Sequence, residues 1–89
     1  MSITYTFRQS TRRDKKYDAL LSDGRIVPFG GIQRNGEPYA QFKDRTPLKL
    51  YSAYDHNDLN RRIRYYKRHS SMNESIPYTA DWFSKKYLW

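Results

Sequence analysis

The sequence contains no cysteine. No disulfide can staple its fold and no thiolate can hold a metal, and the absence agrees with a reducing compartment. Apolar residues are also scarce, at 37% of 89 positions. A core built on that fraction is thin and lies near the lower limit for a domain that folds alone. No apolar run approaches the roughly 18 residues of a bilayer-spanning helix, so membrane insertion is not expected. The opening residues, MSITYTFRQS, lack the charged-then-apolar order of a secretory leader.

Carboxylates are the third shortage. Nine Asp and Glu stand against seventeen Lys and Arg, a formal net charge of +8. A field of that sign attracts polyanions and acidic protein faces and speeds encounter with them. Patterns for catalysis are missing as well. His56 and His69, the two histidines, fit no structural-zinc or metalloprotease spacing. Gly24, Gly30, Gly31 and Gly36 belong to no phosphate-cradling loop, and Ser70-Ser71 has no readable base. The chain is therefore expected to be no enzyme and to carry neither cofactor nor metal.

What the sequence has in quantity is rings. Nine Tyr, four Phe and two Trp make 17% of the chain. Each can bury roughly 150–250 Å², so a few can anchor a small fold. Trp82, Phe83 and Trp89 are the expected anchors, with Leu88 beside them.

Ile3, Tyr5 and Phe7 alternate with polar residues, the period-two pattern of a strand. A basic loop follows, with Arg12, Arg13, Lys15 and Lys16. Asp23-Gly24 between two apolar runs reads as a two-residue hairpin turn. That turn sets Leu21 opposite Ile26 and Leu20 opposite Val27. Pro28 confines its strand to a sheet edge or ends the pairing. Asn35-Gly36 reads as a second turn, with Arg34 and Glu37 as a cross-strand pair, residues 39–42 as its return strand and residues 48–51 as another short strand. The clearest helix covers residues 58–69, capped by Asp55 or Asn57 and ended by residues 70–73. Leu59, Ile63 and Tyr66 form its apolar face, and Arg61, Arg64 and Arg68 the opposite one. Lys67 and Arg68 suit the negative end of its dipole. A short helix over residues 79–87, capped by Thr79, closes the chain. The expected fold class is α+β, a small antiparallel sheet of hairpins packed by one longer helix and a short C-terminal helix. It forms one domain over residues 1–89, divided into an N-terminal strand and basic loop (1–15), a hairpin region (16–54) and a helical region (55–89).

Two segments resemble a family of small basic proteins from large double-stranded DNA viruses of eukaryotes. The first, residues 16–30, carries Lys16-Tyr17, Ala19, the Asp23-Gly24 turn and Phe29-Gly30. The second carries Asp58, Arg61, Arg64-Tyr65, Arg68-His69, Glu74, Thr79-Ala80, Ser84 and Leu88-Trp89. The chain departs from the family at Asp81, where glycine is usual, in the order Trp82-Phe83, and in a longer stretch over residues 31–57. The resemblance implies a setting, the virion, with host cytoplasm or nucleus during assembly, and no mechanism.

Two functions fit these readings. One is a minor capsid or cement protein that binds acidic surfaces of larger capsid or virion proteins. The other is a nucleic-acid-binding protein that sets its arginine helix face on the phosphates of DNA or RNA. In either, Arg61, Arg64, Lys67, Arg68, Arg12, Arg13, Lys15 and Lys16 are the candidate partner- or phosphate-binding residues. Asp23, Gly24, Asn35 and Gly36 are structural turn residues.

Overall fold

The computed structural model of the chain describes residues 2–69 and 76–89. The expected helix stop at residues 70–73, and Glu74, lie outside the described residues. The fold is α+β. Three antiparallel strands, β1 (Tyr5–Gln9), β2 (Lys15–Leu21) and β3 (Ile26–Gly31), stand in the order β1-β2-β3. Pro28 thus sits on an edge strand, where its missing N–H costs no ladder bond. Two helices follow, α1 (Leu59–Arg68) and α2 (Ala80–Tyr87).

The core is aromatic because the sequence offers little else. Tyr17, Ala19 and Leu21 of β2 are buried with Phe29 of β3 and with Phe83 and Leu88 from the α2 region. The Phe83 ring stacks on Phe29 with centroids 5.4 Å apart, and Tyr87 meets Phe7 edge-on at 4.7 Å. The Tyr5 and Tyr87 hydroxyls share a hydrogen bond of 2.6 Å. Of the expected anchors, Phe83 is fully buried, and Trp82 and Trp89 are half-buried.

The first hairpin differs from the expected register by one residue. Leu20 pairs with Ile26 and Ala19 with Val27. Its loop has three residues, Ser22, Asp23 and Gly24. Gly24 N–H donates to Leu21 O at 3.0 Å, and Leu21 N–H donates to Arg25 O at 2.9 Å. Gly24, at φ 93°, occupies the left-handed position that such a loop requires. A one-residue slip exchanges the faces of a strand, so Ile26 is exposed and Phe29 enters the core. The second turn repeats the arrangement. Glu37 faces Gln33 rather than Arg34, and Gly36 has φ 88°.

Apart from isolated bridges between Ile32 and Pro38 and between Gln41 and Asp55, residues 39–42 form no return strand, and residues 48–51 form no strand. Side chains order this segment in place of a ladder. The buried Asp44 carboxylate accepts from the Tyr17 hydroxyl, the Thr46 hydroxyl and the Thr46 and Tyr51 amides. The Gln41 amide donates to Tyr51 O and Asp55 Oδ1, and its Oε1 accepts from Lys16 Nζ at 2.7 Å. Propensity cannot forecast such a segment, since its bonds join residues distant in sequence. It also closes the end of α2. Lys43 and Arg45 amides donate to Leu88 O and Tyr87 O, carbonyls a helix terminus leaves open.

Both helices are capped. Thr79 accepts from Trp82 N–H, as expected. The cap of α1 is Asp58, which accepts from Asn60 and Arg61 N–H. Asp55 is held by Gln41 and the Asp44 amide, and Asn57 sits at φ 53° outside the helix, so neither serves.

The face of α1 is the largest correction. Leu59 and Ile63 are 62% and 54% exposed. The side turned inward carries Arg62, Tyr65, Tyr66 and His69, roughly 80° from the predicted arc at ~100° per residue. Tyr65 stacks on Trp89, Arg62 donates to Trp89 O at 2.6 Å, and the Tyr66 hydroxyl donates to Lys85 O. Aromatic stacking on the end of α2 overrides the aliphatic periodicity.

Candidate functional site

Of the eight carboxylates among the described residues, four are buried or half-buried, and most of the exposed ones are engaged locally. Asp18 holds Arg8 at 3.1 Å and Ser10, and Asp44 and Asp55 hold the loop network. Asp14 and Asp23 pair with Arg12 and Arg25, Asp58 caps α1, and Asp81 sits 3.1 Å from Lys85 Nζ. Positive charge therefore dominates what faces outward.

Two features of that surface stand out. The first is a groove of about 580 Å³ between the end of β3, the start of β2 and the two helices. Lys15, Arg61 and Arg68 line it from three places in the chain, together with Tyr39, Tyr65 and His69. No carboxylate pairs with these three cations among the described residues. Asp81 is also on its wall, with Lys85 against it. Gly30 and Gly31 also line the groove, packed closely by Leu88 and Lys16 at Gly30 and by Tyr39 at Gly31. A Cβ on Gly31 would lie 2.9 Å from the Tyr39 ring.

The second feature is the outer side of α1. Leu59 and Ile63 are successive turns of one stripe, Lys67 stands next to Ile63 one turn on, and Arg64 lies farther round the exposed side. A shallow hollow beside it is lined by Arg62, Ile63, Tyr66 and Lys67.

The sequence-predicted cations are thus divided. Arg61 and Arg68 turn to the groove and meet Lys15, while Arg64 stays exposed on the outer side. Arg13 lines a separate cleft with Arg34, and Arg12 pairs with Asp14 at 3.6 Å. Lys16 is only 2% exposed. Burial pushes its ammonium down to about 8 despite the Asp44 and Asp55 carboxylates, and it donates to Tyr39 O and Gln41 Oε1. It organises the groove from behind. Tyr39 and Gly31 were not indicated by the sequence, since their juxtaposition depends on the path of the loop. The exposure of Leu59 and Ile63 was equally hidden, because helical periodicity marks a stripe without saying which way it points.

Rings brace the groove wall. His69, Tyr65 and Trp89 are stacked in series, with centroids 4.0 and 4.2 Å apart. Burial raises the Tyr65 hydroxyl to about 12. His56 abuts Trp89, and its Nδ1 accepts from Asp58 N–H at 2.9 Å. Desolvation, then the nearby Arg61 charge, lowers its pKa below the usual histidine value. Among the described residues, no group of three or more His, Asp or Glu converges in a way that could hold a metal ion, and no helix is long and apolar enough to cross a membrane.

The chain matches no family model, no curated protein and no solved structure.

Proposed function

We propose that this domain is a non-enzymatic structural component that docks through the outer side of α1 onto an acidic surface of a larger protein. The observation that carries the reading is the exposure of Leu59 and Ile63 on successive turns beside Lys67, with Arg64 farther round the exposed side. Aliphatic side chains gain nothing from phosphates, whereas covering one completely on a protein face is worth roughly 1.5–3 kcal/mol. Cations on the same exposed side add register and rate of encounter with a carboxylate-rich partner. The resemblance to small basic proteins of large DNA viruses supplies the setting: a minor capsid or cement protein on the larger subunits of the virion shell.

The test is fractionation of particles of the encoding virus. The protein is expected to remain with shells emptied of DNA and to resist moderate salt, because part of the contact is apolar. Release together with the genome would contradict the reading and favour the nucleic-acid alternative.

A further inference from the structure

We infer that the groove between the β3 end, α1 and α2 is a separate binding site for nucleoside phosphates, with Lys15, Arg61 and Arg68 on the phosphate and the Tyr39 ring under the base. The site does not use the outer stripe of α1, so it stands or falls independently of the docking role.

The chemistry of the ligand follows from the lining. Lys15, Arg61 and Arg68 come from the start of β2 and from the first and last turns of α1, yet they border one groove. Like charges do not converge in a folded protein without cost, and no carboxylate pairs with them among the described residues. An anionic ligand offsets that repulsion, and a guanidinium fork matches phosphate oxygens well. The cations are not the whole lining. Tyr39 is 57% exposed and lies against Gly31, so that even one methyl group there would strike the ring. An exposed ring on a groove wall that also carries cations is a stacking platform for a base. An acidic peptide would use the cations and leave Tyr39 idle.

The position of the platform is built into the fold. Tyr39 N–H donates to Gly31 O at 3.2 Å, and Tyr39 O accepts from the buried Lys16 Nζ at 2.7 Å. Both bonds come from the backbone of residue 39, so its side chain can be changed without removing them. The groove is of a size to admit a nucleotide.

Two sources of that chemistry exist, a free nucleotide and a single-stranded nucleic acid, and one experiment separates them. Fluorescence anisotropy of the full chain is measured with a labelled oligo(dT) 12-mer and with a labelled adenosine monophosphate, and unlabelled inorganic phosphate and poly-glutamate serve as competitors. Both probes are expected to bind. Tighter binding of the oligomer assigns the single strand as the source, and equal binding assigns the free nucleotide. Tyr39→Ala and the double variant Arg61→Ala/Arg68→Ala should each lose tenfold or more. The double variant should lower the salt slope by about 1.4, from two phosphate contacts at ~0.7 each on a single strand. The equally charged control Arg34→Ala/Lys43→Ala, at exposed residues outside the groove, should lose less than threefold, and circular dichroism should show all variants folded. The inference is overturned if neither probe binds, if the control double variant loses as much as the groove double, if Tyr39→Ala is silent, or if poly-glutamate displaces the probe at lower charge concentration than inorganic phosphate or unlabelled oligomer.

Discussion

The Tyr65 ring lies flat on the Trp89 indole, centroids 4.2 Å apart and planes within 2° of parallel. Trp89 O also accepts from Arg62 Nε, so one residue holds α1 by both ring and backbone. The remaining ties of α1 to α2 include the Tyr66 hydroxyl on Lys85 O and Lys85 Nζ on His69 O. This clamp fixes which side of α1 faces outward, and with it the placement of Leu59, Ile63 and the groove arginines.

Trp89→Ala should therefore loosen α1 before it disturbs the sheet. The expected cost is about 2 kcal/mol, below the range for fully buried aromatic truncations because Trp89 is half-buried. Hydrogen exchange is the measurement. Amides of α1 should lose protection while those of Tyr17 and Ala19 in β2 keep theirs. Equal loss in both elements would show that α1 is not a separately anchored unit.

The Asp44 network should be the most sensitive polar point of the fold. Asp44→Ala strands the Tyr17 and Thr46 hydroxyls and two amides in a buried site. At ~1–3 kcal/mol for each buried group left unsatisfied, several such groups threaten folding itself at this size. Denaturant unfolding should show a large fall in midpoint, and Asp44→Asn should recover part of it by keeping one acceptor. A midpoint within 1 M of the parent's in Asp44→Ala would contradict the structural role given to this carboxylate.

Stability should change sign of slope in the alkaline range. Burial holds Lys16 at about 8 against its usual 10.5. Between those values the unfolded chain binds more protons, so stability rises with pH there. Tyr17, Tyr65 and Tyr87 are all raised, chiefly by burial, so the folded chain retains protons above pH 10 that the unfolded chain releases. Stability must then fall as pH rises further. Thermal melts from pH 7 to 12 should show an increase from about 8 to 10 and a drop beyond. Lys16→Met should remove the rise and leave the drop. A parent profile that falls steadily from pH 8 would contradict the buried, depressed lysine.

Glycine positions should rank by environment. Gly24, at φ 93°, has open space around it, so Gly24→Ala should cost about 1–2 kcal/mol of backbone strain alone. Gly30 has φ 79°, and a Cβ there would also lie 3.0 Å from Leu88 and Lys16, so Gly30→Ala should cost more. Comparable unfolding midpoints for the two variants would show that the Leu88 contact yields freely.

These tests bear on what the sequence could disclose. Alternation at Ile3, Tyr5 and Phe7, the two glycine turns and the Thr79 cap are local signals, and the corresponding elements formed. Register was not legible, because a two-residue and a three-residue loop share the Asp23-Gly24 pair and differ only in which partner Leu21 takes. The facing of α1 was not legible either. Leu59 and Ile63 are the residues a core normally claims, yet Tyr65 and His69 extend a ring stack that ends at Trp89, twenty or more residues away. At the site, Lys15, Arg61 and Arg68 could be named from charge. Their meeting in one groove, the placement of Tyr39 against Gly31 and the burial of Lys16 depend on a loop ordered by Gln41, Asp44 and Asp55, which no periodicity encodes.

The central claim, that the exposed stripe of α1 is a protein-docking face, is tested most directly by particle incorporation of the double variant Leu59→Glu/Ile63→Glu beside the groove variant Arg61→Ala/Arg68→Ala. Both stripe residues are exposed, so the isolated double variant should melt within a few degrees of the parent. It should nevertheless be absent from purified virions, whereas the groove variant should be incorporated at parental copy number. Normal incorporation of the Leu59→Glu/Ile63→Glu protein would contradict the account.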